Sequence, residues 1–351
     1  MSFLQNIFLK EKKGEESVIL INIGADSVAG AYARYEKDAL PALLYTRRLP
    51  IEIRKDEPHE RAMRRALDIL GNDLIREGAP VLTRATGSGA ASMILVSVDA
   101  PWQETHVRSE DFESKEPFVF TKDLVTKRLE ETTPSSSEKM ITDESVISTT
   151  LNGYETKNPY GKKVHRASIV VLTSLIEQKI ADGITATLRS LFHTIHILPI
   201  AGSSLRYQAM RTLFPHEEDA IILDATGGSV ISVALVRKEV FVSLEQVQVS
   251  SKENAWIDAV RDEFVEIAKS YQLPRTVFLL AREPEIASLR KILEEAHFGS
   301  IWFSQNPPKV IPVVRSSMNT VIRQMTTSPA DIVLLLMALF WKNRKSLSDE
   351  K

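Results

Sequence analysis

Two short polar turns carry residue types that could hold a phosphate group. They read "NIGADS" at 22–27 and "DATGGS" at 224–229. Backbone N–H groups in such turns, together with hydroxyl groups, can bind phosphate oxygens. A carboxylate such as Asp224 can hold Mg²⁺ through water. The chemistry that the two turns suggest is therefore the binding of a nucleotide phosphate and its magnesium ion.

Each turn lies between two apolar segments. Segments 17–24 and 28–35 predict two strands, because β-branched and other apolar residues dominate them and Gly24 allows the chain to turn. Segments 220–223 and 230–236 repeat this design around the second turn. The repetition predicts two related lobes whose turns face one another.

Apolar periodicity predicts the other elements that position the turns. Helices are predicted at 57–77, 121–130, 174–191, 253–271 and 284–296, and strands at 42–49, 93–98, 145–151, 167–172, 276–280 and 301–303. The polar stretch 130–144, rich in Pro and Ser, predicts a surface loop. Residues 93–165 together predict a small α+β insert.

The composition limits the kinds of function open to the chain. With 351 residues it exceeds the length at which one core usually keeps growing, so two or more lobes are expected. Its 44 basic and 46 acidic residues give a net charge of -2, which argues against nucleic-acid binding. The absence of cysteine excludes disulfides, thiolate metal sites and cysteine nucleophiles, and is typical of a reducing cytoplasm.

Both ends of the chain carry apolar segments. Residues 1–16 predict a mildly amphipathic leader, which is either a frayed end or a weak contact with a membrane surface or a partner. The apolar run at 332–341 is half of the roughly 20 residues that a bilayer span needs. With Ser328 as N-cap and Pro329 at the first helical position, it predicts a buried core helix, with membrane attachment as the alternative.

Five stretches, in their order along the chain, resemble the PilM and FtsA group of the actin-like ATPase superfamily, most closely PilM-type type IV pilus assembly proteins. "INIGADSVAGAYA" resembles the first phosphate hairpin of this family, and "LDATGGSVISVALV" resembles the second. "TTLNGYETKNPYGKKV" resembles the segment that leads out of the inserted 1C subdomain. The opening "MSFLQNIFLKEKK" is similar to the PilM leader, and "SPADIVLLLMALFW" is similar to the last core helix of the first lobe.

The resemblance implies an α/β fold of the actin-like, ribonuclease H-like kind, with two lobes and an inserted α+β subdomain of 1C type. The implied domains are the leader at 1–16, a first lobe of 1A type at 17–92 that continues at 166–205, the 1C-like insert at 93–165, a second lobe of 2A/2B type at 206–327, and a terminal core helix at 328–345 that returns to the first lobe.

The resemblance also implies a nucleotide site for ATP and Mg²⁺. Its residues would be Gly24, Ala25, Asp26, Ser27, Asp224, Thr226, Gly227, Gly228, Ser229 and Arg282, with Asp224 holding Mg²⁺ through water. The sequence departs from the family pattern at Asn22, where the family has a carboxylate, and at Ala29, where it has a lysine. At 281–283, Ala-Arg-Glu stands in place of a Gly-Gly pair, and Arg282 either caps a base or phosphate or has a structural role. These degenerate motifs predict weak or lost ATP binding and no hydrolysis.

Three functions follow from the resemblance. The first is a cytoplasmic scaffold, peripheral to the inner membrane, in a type IV pilus or related secretion machine; it would bind the cytoplasmic tail of a PilN-like membrane protein near the junction of the first lobe and the insert. The second is an FtsA-like, membrane-anchored filament former of cell division. The third, ranked last, is a small-molecule kinase. The resemblance leaves self-association possible and implies peripheral contact only with the membrane.

Overall fold

The computed structural model of the chain describes residues 16–132, 138–156, 158–194, 196–238, 240–249, 255–296, 298, 301–302 and 308–349. Within these ranges the strands form three sheets. The first two sheets each begin with one of the hairpins that carry the polar turns. The third sheet is built from the chain between them.

The first sheet has the strand order β15-β3-β2-β1-β4-β9. Its strands are β1 (Glu16–Ile23), β2 (Ser27–Tyr35), β3 (Ala42–Pro50), β4 (Met93–Val98), β9 (Ile197–Ala201) and β15 (Arg323–Gln324). Strand β1 pairs antiparallel with β2 and parallel with β4. Each face of β1 is buried, so its sequence is apolar throughout instead of alternating.

Helices cover both faces of the first sheet. They are α1 (His59–Asp73), α2 (Ala79–Thr86), α4 (Gln178–Phe192), α5 (Gly202–Leu213) and α8 (Ile332–Asp349). Ile19 and Ile21 of β1 belong to a core that includes residues of α1 and α4. Val18 and Leu20 belong to the opposite core, which includes residues of α5 and α8. This alternation follows from the two-residue period of a strand.

The second sheet has the strand order β12-β11-β10-β13-β14. Its strands are β10 (Ala220–Asp224), β11 (Val230–Arg237), β12 (Val240–Gln248), β13 (Thr276–Leu280) and β14 (Lys309–Pro312). Helices α6 (Ala255–Ser270) and α7 (Glu283–Glu295) pack on one face. The other face contributes Ile222, Ala234 and Val236 to the core that contains α8. Helix α8 therefore lies between the first and second sheets.

The third sheet has the strand order β5-β8-β6-β7. Its strands are β5 (Gln103–Val119), β6 (Lys139–Leu151), β7 (Tyr154–Glu155) and β8 (Lys163–Glu177), and helix α3 (Lys122–Thr132) packs on it. Phe112, Phe120 and Ile169 are among the residues of its own hydrophobic core. This sheet is the inserted α+β unit that the sequence predicts.

The edges of the insert differ from the expected 93–165. Residues 93–98 form β4, which lies in the first sheet between β1 and β9. Strand β8 continues to Glu177 because it pairs with both β5 and β6. The helix predicted from residue 174 therefore begins at Gln178. The third sheet thus spans residues 103–177, a longer stretch than apolar periodicity indicated.

Three local predictions also changed. The strand predicted at 301–303 is wrong for Ile301 and Trp302, and Phe303 lies outside the described residues. The strand that pairs with β13 is β14, which the sequence did not predict. The polar loop predicted at 130–144 ends earlier than expected, because β6 begins at Lys139. Of the predicted leader, only Glu16 lies within the described residues.

Helix α8 is the terminal core helix that the sequence predicts. Residues 332–341 are all buried. Its N-cap is Asp331 and not the predicted Ser328, because the Asp331 carboxylate accepts a 2.9 Å hydrogen bond from the Val333 N–H. In the described part of the chain, none of the helices has the length and apolarity that crossing a bilayer requires.

Candidate functional site

The two polar turns meet. A Cβ atom added to Gly228 of the second turn would overlap the Asp26 carboxylate of the first, so the two turns are in contact. The φ of Gly228 is +73°, a conformation that favours glycine. The structure therefore places all the predicted site residues of 24–27 and 224–229 in two facing turns.

Backbone and ring groups hold the first turn in place. The Gly24 N–H donates to the Ser27 carbonyl at 2.9 Å. The Trp102 ring N–H donates to the Gly24 carbonyl at 2.7 Å, and His59 Nε2 lies 2.8 Å from the Ala25 carbonyl oxygen. The His59 and Trp102 rings pack with centroids 4.4 Å apart. These contacts join the first turn to His59 of α1 and to Trp102.

The second turn is organised by Asp224. Its Oδ1 atom accepts hydrogen bonds from the Thr226 N–H at 2.9 Å and from the Thr226 hydroxyl at 2.6 Å. The Ala225 N–H donates to the Leu280 carbonyl at 2.8 Å. The Ser229 carbonyl accepts from the Val249 N–H at 2.8 Å. The two bonds from Thr226 occupy the Oδ1 atom of Asp224, which leaves its Oδ2 atom for another partner.

That partner is Arg206 of α5. Its side chain is 6% exposed and forms ion pairs with Asp99, at 2.9 Å, and with Asp224. Asp99 also accepts a 2.8 Å hydrogen bond from the side-chain amide of Asn22. Burial lowers the pKa of Arg206, but the Asp224 and Asp99 carboxylates raise it by more, so its pKa lies above the ordinary value. Arg206 is therefore a charged guanidinium held between two buried carboxylates.

A glycine one helical turn before Arg206 makes room for this contact. A Cβ atom added to Gly202 would overlap the Asp99 carboxylate and would lie 2.8 Å from Arg206 Nη1. Gly202 is the first residue of α5. The start of this helix is therefore shaped to bring Arg206 against Asp99.

We call the space between the two turns the cleft, and Arg282 joins the turns across it. Its Nη2 atom donates to the Asp26 carboxylate, to the Ser27 hydroxyl at 3.3 Å and to the Thr226 carbonyl at 3.3 Å. The Arg282 side chain is 26% exposed and that of Asp26 is 42% exposed. Arg282 thus takes a structural role between the turns, one of the two roles that the sequence left open for it.

A third arginine, Arg48 of β3, anchors the first turn to α8. It donates to the Ser27 hydroxyl at 2.7 Å and forms a 2.7 Å ion pair with Asp331, the N-cap of α8. Burial lowers the pKa of Arg48, but the Asp331, Asp99 and Asp26 carboxylates together raise it by more, so its pKa is above the ordinary value. The Ser27 hydroxyl is consequently occupied by two arginines.

The residues present do not fit ATP and Mg²⁺. Asp224 uses both carboxylate oxygens on protein partners, and Mg²⁺ beside it would lie against the Arg206 guanidinium. A phosphate group at the turns would meet the Asp26 carboxylate, and it would have to displace Arg282 to reach the Ser27 hydroxyl. Among the described residues, no group of three or more His, Asp or Glu side chains is placed to hold a metal ion.

Sequence reasoning missed four members of this network: Arg48, Asp99, Arg206 and Asp331 in their present roles. For Asp99 a signal existed, because it directly follows the strand predicted at 93–98, and the carboxyl ends of parallel strands commonly carry site residues. For Arg48 and Arg206 no local pattern distinguishes these arginines from surface ones. Only the packing of β3 and α5 brings them to the turns.

Comparison with known proteins addresses the fold. No family model and no curated protein matches the sequence. The structure is similar to a chain of the PilM-PilN type IV pilus biogenesis complex, with 13% identity, a TM-score of 0.55, and coverage of 95% of this chain and 99% of that one. It also matches a protein of Bacteroides thetaiotaomicron with an actin-like ATPase fold and unknown function, with 8% identity, a TM-score of 0.46, and coverage of 95% of this chain and 99% of that one.

The first similarity extends over nearly the whole of both chains, while the second has too low a TM-score to add weight. The fold is characterised by two sheets that each begin with a hairpin and whose turns are in contact. A helix lies between these sheets, and an insert follows β4. The predicted α/β, two-lobed fold with an inserted α+β subdomain is confirmed. The chain therefore has the actin-like ATPase fold.

Proposed function

We propose that this chain is a PilM-like scaffold on the cytoplasmic side of the inner membrane, in a type IV pilus or related secretion machine. In this role it binds the cytoplasmic tail of a PilN-like membrane protein and has lost ATP binding. The observation that carries the loss of ATP binding is the position of Arg206, which lies between the Asp99 and Asp224 carboxylates.

The electrostatics of the cleft support a scaffold over an ATPase. Arg206 already neutralises the buried carboxylates from which a magnesium site would be built. Displacing one partner of a buried ion pair is costly, because the other charge remains buried without compensation. Arg282 links the turns directly, so the cleft needs no nucleotide to bridge them. The similarity to a chain of a PilM-PilN complex supports the partner class.

Calorimetric titration with ATP and Mg²⁺ tests the proposed loss of binding. We expect no saturable heat up to about 1 mM ATP. A dissociation constant above that concentration corresponds to a binding free energy weaker than roughly -4 kcal/mol. ADP and ATP without Mg²⁺ serve as controls. Saturable, Mg²⁺-dependent binding at micromolar ATP would overturn this part of the proposal.

The partner can be tested with a peptide from the amino-terminal, cytoplasmic tail of a PilN-like protein encoded beside this chain. The expected site is the junction of the first sheet and the insert, where Ile141 of β6 is 41% exposed near the paired residues Lys139 and Glu177. We expect Ile141→Asp to weaken peptide binding by about tenfold, the effect of losing roughly 1.4 kcal/mol of apolar contact.

Tyr154→Asp is the matched control. Tyr154 lies on β7, the edge strand of the same insert, and is 80% exposed. The substitution therefore adds the same charge to the same unit at another place. Equal losses in both variants would contradict a site at the junction, and the absence of peptide binding in the unsubstituted chain would contradict the partner.

The FtsA-like alternative has weaker support. It requires the terminal apolar helix to leave the body of the protein as an anchor, but residues 332–341 of α8 are buried between the sheets. An interfacial helix also needs a polar face, which this run lacks. The kinase alternative requires a free carboxylate as general base, and Asp224 is engaged by Arg206 and Thr226.

A further inference from the structure

Buried polar side chains join the insert to helix α5, outside the two turns. The Thr105 hydroxyl of β5 lies 3.0 Å from the Ser174 hydroxyl of β8 and 3.1 Å from the Ser203 hydroxyl of α5. The Ser204 hydroxyl, next along α5, donates to the Asp143 carboxylate of β6. Each of these side chains belongs to a residue that is at most 8% exposed. We call them the polar seat of the insert: Thr105, Asp143, Ser174, Ser203 and Ser204.

Strand pairing places the insert's part of the polar seat in one row. Ser174 of the central strand β8 lies opposite Thr105 of β5 and opposite Asp143 of β6. In the next row, Ile141 of β6 lies opposite Leu175. Successive residues of a strand point to opposite faces, so this second row points away from α5. Accordingly Ile141 is 41% exposed, although Asp143 is buried.

A β-bulge in β6 separates these two side chains. Ile141 and Asp143 lie opposite consecutive residues of β8, so Thr142 between them is an extra residue in the strand pairing. The Thr142 hydroxyl donates to the Ser174 carbonyl at 3.2 Å. In a regular strand, residues two positions apart would point to the same face. The bulge therefore lets Asp143 point to α5 while Ile141 points outward.

Asp143 is the ionisable member of the polar seat. Besides the bond from Ser204, it accepts a 2.9 Å hydrogen bond from the Ser145 hydroxyl. Arg344 of α8 is a nearby opposite charge: burial lowers the pKa of Arg344, and the Asp143 carboxylate offsets part of that change. Apolar contacts have no preferred direction, whereas hydrogen bonds to a buried carboxylate are directional and costly to leave unmade. The polar seat therefore favours one orientation of the insert on α5.

We propose that Asp143 is a positioning residue for the partner site: it holds the insert in one orientation on α5 and so keeps Ile141 at the surface that receives the tail. The identity of the tail rests on the proposed function. The orientation of the insert does not, because it can be measured without a partner. Loosening the polar seat would lower the affinity for the tail although Ile141 itself is unchanged.

Distances between spin labels test the orientation of the insert. The sequence has no cysteine, so nitroxide labels on Asp68→Cys of α1 and Lys127→Cys of α3 report only these two exposed positions. Pulsed electron paramagnetic resonance then gives the distribution of their distance. We expect Asp143→Ala to widen this distribution. Asp143→Asn should leave it narrow, because its amide can still hydrogen-bond to both serine hydroxyls. Asp111→Ala, at an exposed position of β5, is the matched control.

Binding of the PilN-like tail peptide to the same variants tests the positioning. Asp143→Ala is expected to weaken binding by about tenfold, the effect of losing roughly one hydrogen bond. Asp143→Asn should stay within about threefold of the unsubstituted chain, and Asp111→Ala within about twofold. If Asp143 acts through Ile141, its substitution by alanine should cost clearly less affinity in a chain that already carries Ile141→Asp.

Three results would overturn the inference: an unchanged label distribution in folded Asp143→Ala, full peptide affinity in that variant, or additive effects of Asp143→Ala and Ile141→Asp. Circular dichroism shows whether each variant is folded. If Asp143→Ala does not fold, Ser204→Ala removes only the α5 hydroxyl and is judged by the same three results. If the peptide does not bind the unsubstituted chain, the proposed partner is wrong, and the label distances alone decide whether Asp143 orients the insert.

Discussion

At the scale of single residues, Arg206 determines what the cleft can do. A guanidinium with five N–H donors in a fixed plane suits two carboxylates on different elements, which a lysine cannot match. Its partners, Asp99 and Asp224, are each less than 9% exposed in their side chains. The interaction therefore takes place where water screens little and where an unpaired charge is costly.

Replacing Arg206 by alanine is expected to lower the free energy of unfolding by about 3–5 kcal/mol, because two buried carboxylates would lose their counter-ion. Urea unfolding followed by circular dichroism measures this change. Arg84→Ala, at an exposed position on α2, is the control and should change stability by less than about 0.5 kcal/mol. A loss as small as that of the control would mean that the pair of ion contacts adds little.

The same variant offers a second measurement. Without Arg206, the facing carboxylates of Asp99 and Asp224 are left as hard oxygen ligands, which divalent cations prefer. We expect Mg²⁺ or Mn²⁺ to raise the melting temperature of Arg206→Ala and not that of the original chain, since a ligand that binds only the folded state stabilises it. Equal effects on both proteins would show that the cation acts elsewhere.

At the scale of elements, α8 joins the two halves of the molecule. Its residues share one core with β1 and with β10 and β11. The Ala338 carbonyl accepts a 3.2 Å hydrogen bond from the Tyr35 hydroxyl, and the Trp341 ring N–H donates to Glu16 at 3.2 Å. Arg48 connects the start of the helix to the first turn. The helix is thus tied to the first sheet at both ends of its buried run.

Leu335→Ala in the middle of α8 is expected to destabilise the fold by about 2–5 kcal/mol, since a fully buried leucine leaves a cavity when it is shortened. Leu335 is 0% exposed between the sheets. Ile69→Ala on α1, where the isoleucine is 46% exposed, is the matched control and should cost much less. Thermal unfolding of both variants under the same conditions measures the difference in stability. Equally small losses in both would show that α8 is loosely packed.

The elements show which parts of the fold could be predicted from the sequence. The β1–β2 and β10–β11 hairpins have apolar runs separated by turn residues, and their positions are local properties of the chain. The placement of β4 in the first sheet and the length of β8 depend on pairing with distant strands, which apolar periodicity does not report. The site divides in the same way: its turns are local, while Arg48 and Arg206 arrive by packing.

At the scale of the whole molecule, the facing turns, Arg282 and α8 hold the two hairpin-led sheets together through contacts within the chain. In a nucleotide-driven filament former, binding of the nucleotide must change the relation between the lobes, and a ligand can shift an equilibrium only by its differential affinity for the two states. A cleft that does not fit ATP and Mg²⁺ provides no such differential affinity. This arrangement favours a fixed scaffold.

Electron microscopy on lipid monolayers tests that conclusion. With ATP and Mg²⁺ present, we expect dispersed particles, because the buried run 332–341 of α8 cannot serve as a lipid anchor while it fills the core between the sheets. The Arg282→Ala variant is the informative comparison, since it removes the contact between the turns at a side chain that is 26% exposed and should leave the core intact. Filaments formed by the original chain would favour the FtsA-like function. Filaments formed by Arg282→Ala alone would show that the contact between the turns suppresses assembly.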